Sequence, residues 1–317
     1  MVDSSSAIDP RAHTPVLYQE VLSALNPRLG SRMIDATVGA AGHAASILEA
    51  TAPDGLLLGI DRDLEAVKIA RTSLSGFGQR ATIRHGSYAE IRFHASKVGW
   101  TSVQGVLMDL GMSSMQLNSA PRGFSFRQDG PLDMRFDRSQ ETTAGDLVNH
   151  LNPRDLAQII RQYGEEPQAK RISRAIVDAR PIKGTAELAA LLERTLRKRK
   201  SKIHPATRTF QALRIAVNDE LEVLHQGLRQ AAAMLAPGGR LVVIAFHSLE
   251  DRIVKVFFRE SSTVSGGLQR EDRRMAESKA DLKLITRKPI RPTDEEIEAN
   301  PRARSARLRV AEKTHLA

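Results

Sequence analysis

The segment MIDATVGAAGH, Met33–His43, decides the fold because an apolar β-type run leads directly into a turn of small residues. A second apolar run ends in GIDRD, and its Asp61 lies 22 residues beyond Gly39. In a doubly wound parallel sheet, a glycine-containing turn after the first strand lets the backbone approach a ligand. An acid about 20 residues later accepts ribose hydroxyls. The two features together predict a site for an adenosine nucleoside.

The turn lacks the full set of glycines that binds a dinucleotide pyrophosphate. This departure favours S-adenosylmethionine over a dinucleotide as the ligand. The fourth apolar run leads into MDLGMSSMQL, Met108–Leu117, which places Asp109 at the carboxyl edge of the predicted sheet. Ligand crevices lie at that edge in open α/β sheets. A helix cap made by Asp109 or Ser113 is the structural alternative at this position.

The rest of the chain predicts a sheet interrupted by an insertion. Four β-type runs alternate with helical patterns from residue 33 to 110, which predicts parallel strands joined by crossover helices. The next run, Leu241–His247, comes only after about 130 residues of mainly helical pattern and the turn signal Pro237-Gly238-Gly239. We therefore predict a core at 1–112 and 210–317, with an inserted helical domain at 113–209.

Finer predictions concern the elements around that insertion. The apolar spacing over Thr207–Leu235 predicts one long amphipathic helix. A helix is predicted to begin at Pro153, after an Asn152 cap, and another near Thr185. Two weaker strands are predicted near residues 284 and 307, after a polar linker at 261–280 that we expect to be mobile.

Composition narrows the chemistry further. The 317 residues contain no cysteine, which excludes a disulfide framework, a thiolate zinc site and a cysteine nucleophile, and we expect no metal site. Lys and Arg number 47 against 37 Asp and Glu, and the net charge of +10 favours a polyanionic partner such as nucleic acid. No apolar run approaches the roughly 20 residues that span a bilayer. We expect a cytoplasmic protein without a membrane partner.

The densest basic run covers residues 194–208, with seven Lys or Arg and no acid. We predict that this run contacts RNA phosphates. A solvated helix face is the alternative explanation. The predicted RNA-binding residues are Arg197, Lys198, Arg199, Lys200, Lys202 and Arg208.

Several longer motifs carry a family resemblance. They are HTPVLYQEVL, DATVGAAGH, GIDRD, DLGMSSMQL, RGFSF, GPLDMRFD, YGEE, RISRAI, HPATRTFQALRIAVNDEL, FHSLEDRIVK and NPRARSA. Together, and in this order from His13 to about Lys313, they resemble the RsmH (MraW) family. Members of that family are S-adenosylmethionine-dependent methyltransferases that act on the N4 amino group of a cytidine in 16S ribosomal RNA of the small subunit.

The resemblance implies an α/β fold, a Rossmann-like S-adenosylmethionine-dependent methyltransferase core with an inserted all-helical domain. It implies that the small ribosomal subunit is the partner, and a homodimer is one candidate oligomeric state. Ala41 stands where the family usually has glycine, and alanine is disfavoured there if the position needs a positive φ. The implied cofactor-binding residues are Ala41, Gly42, His43, Asp61, Tyr88, Asp109 and Gln116.

The residues themselves support methylation of an amino group. A cytosine amino lone pair is delocalised into the ring, so the reaction needs alignment and acceptors for the amino protons but no covalent intermediate. Methylation at cytosine C5 usually proceeds through a cysteine adduct, which this chain cannot form. Asp109 is the first candidate for the orienting, catalytic group, and Ser113 is a weaker one.

Two alternatives to this function stay open at the level of sequence. One is an RNA-binding assembly factor of the small subunit that holds S-adenosylmethionine without turnover. The other is a methyltransferase with another nucleic-acid target. His247 and Ser248 follow the fifth predicted strand, but the GxSxG motif of a serine hydrolase is missing. His247 serves either a base pocket or a structural hydrogen bond.

Overall fold

The computed structural model describes residues 15–196, 204–262 and 281–314. The chain forms two compact units, one made of Met1–Gly111 with Val223–Ala317 and the other of Met112–Glu222. The second unit reaches further along the chain than the insertion predicted at 113–209. The reason is that the helix at Thr207–Asn218 packs against the helix at Pro153–Gly164 within that unit.

A single twisted sheet organises the first unit. The strands are β1 (Arg32–Asp35), β2 (Leu56–Asp61), β3 (Ala81–His85), β4 (Val103–Asp109), β5 (Leu235–Ala245), β6 (Leu282–Leu284) and β7 (Arg307–Lys313). Among the described residues their order is β3-β2-β1-β4-β5-β7-β6. The strands β1 to β5 are parallel to one another, and β7 runs antiparallel between β5 and β6.

Helices cover the sheet and form the second unit. Those in the described ranges are α1 (Tyr18–Leu25), α2 (Gly42–Ala50), α3 (Leu64–Ser73), α4 (Ile91–Ser96), α5 (Ser114–Asn118), α6 (Ala144–His150), α7 (Pro153–Gly164), α8 (Ala169–Asp178), α9 (Thr185–Leu196), α10 (Thr207–Asn218), α11 (Glu220–Met234), α12 (Ser248–Ser261) and α13 (Asp294–Ala299). Of these, none has both the length and the apolar character needed to cross a bilayer.

The strands divide their side chains between two cores, one on each face of the sheet. Met33 and Leu57 belong to one core, whereas their chain neighbours Ile34 and Leu58 belong to the other, as the twofold period of a strand requires. Buried residues of α1, α2 and α3 complete the first core, and those of α11 and α12 complete the second. Burial on both faces explains why the parallel strands appear in the sequence as continuous apolar runs.

The predicted strands are confirmed, with one change of extent. The fifth strand begins at Leu235 and not at Leu241, so the Pro-Gly-Gly signal lies inside it. Leu235 pairs with Val103, and the next pair joins Arg240 to Gly105, so the intervening residues leave the regular ladder. Gly238 has a φ of 76°, a conformation that glycine adopts without steric cost.

The prediction of one long helix over Thr207–Leu235 is wrong, since α10 and α11 are separate helices. Asp219, between them, has a φ of 50° in the left-handed region, which ends α10. The buried Asn218 stabilises this break: its side-chain oxygen accepts the Phe136 N–H at 2.7 Å, and its amide donates to the Met134 carbonyl at 2.7 Å. Apolar periodicity alone does not reveal such a polar contact.

Candidate active site

Three aspartates come together at the carboxyl edge of the parallel sheet in the first unit. Asp35 ends β1, Asp61 ends β2 and Asp109 ends β4. These strands are neighbours in the sheet, and parallel strands end at the same edge. The negative charges are close enough that Asp35 repels both Asp61 and Asp109. The prediction that Asp61 and Asp109 lie at this edge is therefore confirmed, and Asp35 is a third acid that the sequence analysis did not select.

The turn after β1 is held by these carboxylates and by one hydroxyl. The Gly39 N–H donates to Asp61 Oδ2 at 2.9 Å, and the Thr37 N–H donates to Asp35 Oδ1 at 3.2 Å. Thr37 Oγ1 in turn accepts the N–H of Asp109 at 2.7 Å. The side chains of Asp35 and Asp61 and the backbone N–H of Asp109, at the ends of three strands, thus fix the backbone that approaches the ligand.

Ala41 occupies the strained position of that turn. Its φ of 72° and ψ of 20° lie in the left-handed region, immediately before α2, and its side chain is buried. The position therefore needs the positive φ that the family glycine provides, and alanine adopts it at a cost of about 1–2 kcal/mol. Gly42 is required for a different reason, since a Cβ there would lie 2.5 Å from Pro15 Cγ.

His43 follows in the first turn of α2 and is buried against the aspartates. Its Nε2 lies 3.8 Å from Asp109 Oδ2. Among the described residues, neither ring nitrogen has a partner in hydrogen-bond geometry, although the Val16 backbone lies close enough to affect the pKa of the ring, and Oδ1 of Asp109 has no partner there either. Burial lowers the pKa of His43 to about 4, so the ring is neutral at pH 7. Buried polar atoms without partners are rare in folded proteins, and a ligand is one common explanation for them.

Burial also perturbs the three aspartates, in the opposite direction. Loss of solvation raises the pKa of Asp109 to about 8, and repulsion from Asp35 and Glu250 adds to the shift. The same cause raises the pKa of Asp35 to about 7 and that of Asp61 to about 6, although backbone N–H donors oppose both shifts. A cluster of desolvated carboxyl groups favours a positively charged ligand, because a cation stabilises their ionised forms.

The structure places Tyr88 in the first unit, directly after β3. Its ring lies against α11, where a Cβ at Gly227 would approach Tyr88 Cδ2 to 2.4 Å. Gly227 therefore gives the aromatic ring room to pack beside the sheet. The ring is half-buried, and its contact with a cofactor stays a prediction.

Ser113 and Gln116 belong to the second unit and form a capping box at α5. Ser113 Oγ accepts the N–H of Gln116 at 3.2 Å, and Gln116 Oε1 accepts the N–H of Ser113 at 2.9 Å. This reciprocal pair is the helix cap that the sequence left as the alternative for Ser113. The catalytic role of Ser113 and the cofactor contact of Gln116 stay predictions.

The predicted RNA-binding residues fall mostly outside the described ranges. Only Arg208 lies within them, on α10. Its guanidinium donates to the Glu165 carbonyl at 3.0 Å and lies 3.6 Å from Glu166 Oε2. These contacts fit a structural role in the second unit, and its contact with RNA stays a prediction. The residues outside the described ranges are Arg197, Lys198, Arg199, Lys200 and Lys202.

The conformation of Ala41 gives a stability prediction. Ala41→Gly removes a backbone strain of about 1–2 kcal/mol but also a buried methyl worth about 0.8 kcal/mol. We expect the free energy of unfolding to stay within about 1 kcal/mol of the parent value, on the stabilising side. Urea unfolding monitored by Trp100, the single tryptophan and a core residue of the first unit, measures it.

Ala44 gives the matched control, since it is buried inside α2 next to the same turn. Glycine there loses helix propensity and a methyl without relieving strain, so Ala44→Gly is expected to destabilise by about 1–2 kcal/mol. Equal losses at the two positions would show that Ala41 carries no strain.

The raised pKa of Asp109 gives a second prediction. A carboxyl whose pKa is about 8 in the folded state and 3.8 otherwise stabilises the fold fully below pH 4, and this stabilisation is lost as the pH rises towards 8. Asp109→Asn removes this pH-dependent loss of stability, because the asparagine side chain does not ionise. Relative to the parent, the ligand-free variant should therefore gain stability between pH 5 and pH 8.5, as measured by urea unfolding.

The exposed Asp54 of the first unit is the control for that experiment. Asp54→Asn should change the free energy of unfolding by nearly the same amount at pH 5 and at pH 8.5. A stability difference between parent and Asp109→Asn that does not depend on pH would contradict the desolvation of Asp109.

Comparison with known proteins places this geometry in a family. The model of the MraW methylase family matches residues 11–314. The ribosomal RNA small subunit methyltransferase H of Syntrophotalea carbinolica is 50% identical over 305 residues, covering 94% of this chain and 96% of that protein. The proteins of the same name from Geobacter sulfurreducens and Thermomicrobium roseum are 48% and 49% identical, covering 95% of this chain and 99% and 93% of theirs.

The sheet of the first unit, with parallel strands β1 to β5 joined by helices, confirms the predicted Rossmann-like α/β fold. The matched residues include the turn after β1 and the carboxyl ends of β2 and β4, where the acids lie. Since one family model covers nearly all of the sequence, and relatives near half identity match over almost their full lengths, this chain belongs to the MraW methylase family.

Proposed function

We propose that this protein transfers a methyl group from S-adenosylmethionine to the N4 amino group of a cytidine in 16S ribosomal RNA. The observation that carries the proposal is the buried Oδ1 of Asp109, which has no partner among the described residues and lies near other carboxyl groups at the carboxyl edge of the sheet. The names of the relatives, ribosomal RNA small subunit methyltransferases, support ribosomal RNA as the substrate class. Such a substrate is cytoplasmic.

The residues at this edge fit the cofactor. When bound, S-adenosylmethionine supplies a methyl group on a positively charged sulfur, and the transfer leaves the electron pair of the broken carbon–sulfur bond on that sulfur. The carboxyl cluster matches this charge. Asp61 already accepts the N–H groups of Gly39 and Asp63, one on each oxygen. Each carboxylate oxygen has two acceptor positions, so Asp61 also has room for ribose hydroxyls.

Asp109 is the acceptor for the amino group in this proposal. At pH 7 its raised pKa keeps it largely protonated in the ligand-free protein. A bound cation would favour the carboxylate, which would then accept an N4–H hydrogen bond and direct the nitrogen lone pair towards the methyl carbon. As the N4–carbon bond forms and the carbon–sulfur bond breaks, the carboxylate of Asp109 would take up the proton that leaves N4. The neutral ring of His43, 3.8 Å from Asp109, adds no positive charge that would compete with the cofactor.

The two alternative functions predict different outcomes. An assembly factor without turnover was motivated by alanine at position 41. Ala41 nevertheless adopts the left-handed conformation of the family glycine, so the departure gives that alternative little support. A methyltransferase with another target would transfer the methyl group, but to a different nucleoside.

The decisive experiment supplies methyl-labelled S-adenosylmethionine and small ribosomal subunits from cells that lack the activity. We expect label in the 16S RNA, recovered as N4-methylcytidine. In Asp109→Asn the turnover should fall by about tenfold to a hundredfold, because losing a charged acceptor costs roughly 1.5–3 kcal/mol. RNA affinity should hardly change, and Asp54→Asn serves as the matched control. Tight RNA binding without any transfer would favour the assembly factor, and label in another nucleoside would favour the other methyltransferase.

The basic run gives a separate prediction about the RNA. Replacing Arg197, Lys198, Arg199 and Lys200 with Gln removes four charges, so RNA affinity should fall. The slope of log K against log salt should shrink by up to roughly four units, because fewer counterions are released. Filter binding at several salt concentrations measures both quantities. Cofactor affinity should stay unchanged, since the carboxyl cluster lies in the first unit.

The control replaces four exposed basic residues of the first unit with Gln. They are Arg28, Lys68, Arg92 and Lys97. This variant has the same net charge as the first and tests whether the position of the charge matters. Equal losses of affinity in the two variants would mean that the run contributes only to the overall charge.

A further inference from the structure

His247 follows the end of β5, the strand next to the one that Asp109 ends, and its hydrogen-bonded neighbour Glu250 is close enough to Asp109 to raise the pKa of that carboxyl. In the sheet, β4 and β5 are parallel neighbours, with Asp109 paired to Ile244, and the Leu110 N–H donates to the Ile244 carbonyl at 3.0 Å. The next residues of both strands stay close, because a Cβ at Gly111 would lie 3.6 Å from Phe246. His247 therefore leaves the sheet at the same edge as Asp109, three residues beyond Ile244, within the first unit.

The hydrogen bonds of His247 fix which ring nitrogen carries the hydrogen. Its Nδ1 accepts the N–H of Glu250 at 3.3 Å, at the start of α12, so the ring carries its hydrogen on Nε2. The carboxylate of Glu250 accepts the N–H groups of Phe246 and His247 at 2.8 and 3.2 Å. The ring is thus held in one orientation by the cap of a helix.

The Nε2 atom of His247 is buried and has no hydrogen-bond partner in the part of the chain that the structure describes. Oε1 of Glu250 lies 3.2 Å away, but not in a direction that forms a hydrogen bond. Among the described residues, Oδ1 of Asp109 and both ring nitrogens of His43 are further buried polar atoms without a partner at this edge of the sheet, and of these Asp109 lies on the strand next to β5. Nε2 of His247 donates and Oδ1 of Asp109 accepts. A buried polar atom left unpaired is costly, so a ligand that pairs both would bind favourably.

We propose that the Nε2–H of His247 donates to N3 of the target cytosine while Asp109 accepts from its N4 amino group. The proposal rests on the proposed function and adds the residue that selects the base. Cytosine presents a donor at N4 next to an acceptor at N3, whereas uracil presents an acceptor at O4 next to a donor at N3. A donor on His247 and an acceptor on Asp109 therefore match cytosine and leave unpaired groups against uracil.

The helix cap is the structural role from which this proposal must be separated. His247→Asn does so, because asparagine is a strong N-cap whose side-chain oxygen can take the place of Nδ1, yet it has no group at the position of Nε2. We expect the unfolding midpoint and the affinity for S-adenosylmethionine to stay close to the parent values. The kcat/KM for methyl transfer to small subunits should fall by about tenfold to a hundredfold, the usual effect of one lost hydrogen bond at a buried site.

A change in the substrate tests the proposed hydrogen bond between His247 and N3 by altering the base instead of the protein. The analogue 3-deazacytidine keeps the N4 amino group but has carbon in place of N3. It can be placed at the target position by ligating a synthetic fragment into 16S RNA, followed by assembly into subunits. The parent enzyme should methylate this substrate about tenfold to a hundredfold more slowly than the normal one. His247→Asn should methylate the two substrates at nearly equal rates, because it has no donor for N3.

The outcomes separate this proposal from the function on which it rests. A parent enzyme that methylates both substrates equally well overturns the contact with N3, whatever the variant does. The contact with N3 is also overturned if replacing cytidine by 3-deazacytidine slows His247→Asn by the same factor as it slows the parent enzyme. If the parent transfers no methyl group to N4 of cytidine in normal subunits, the proposed function itself fails, and the role of His247 fails with it.

Discussion

The burial of carboxyl groups at one edge of the sheet is the constraint on which the rest of the site depends. Three aspartates end adjacent parallel strands, and loss of solvation raises the pKa of each. Burying a carboxylate without a cation is unfavourable, so the fold supplies backbone N–H donors to Asp35 and Asp61. Those same donors belong to the turn after β1. The hydrogen bonds that stabilise the buried carboxylates therefore also fix the conformation of the backbone around the ligand.

Asp109 is the exception in this arrangement. Its own N–H donates to Thr37, but among the described residues its Oδ1 has no donor and no basic side chain contributes to the perturbation of its pKa. The result is a group whose protonation responds to the charge of whatever binds beside it. In the proposed function, a cationic methyl donor converts Asp109 into the acceptor that the amino group needs, so cofactor binding and the orientation of the base depend on the same carboxyl group.

Much of the first unit could be predicted from the sequence because it depends on local patterns. Strands buried on both faces are apolar throughout, and the distance from Gly39 to Asp61 reflects one crossover helix between β1 and β2. The break at Asp219 could not be predicted in this way, because Asn218 contacts the backbone more than 80 positions away. Asp35 was missed for a related reason: its burial beside Asp61 and Asp109 depends on the order of the strands, which the sequence does not state.

Local capping motifs explain the roles that the structure shows for Ser113 and His247. Ser113 and Gln116 have the S-x-x-Q spacing of a capping box, so the structural alternative for Ser113 was readable from the sequence alone. His247 and Glu250 have the same spacing, but histidine is not among the preferred N-cap residues, and its use as a cap became visible only from the hydrogen bond of Nδ1. The choice of histidine has a chemical consequence. A serine or aspartate at that position would cap α12 equally well, whereas the histidine ring caps the helix through Nδ1 and keeps a second nitrogen, Nε2, at the same edge of the sheet as Asp109.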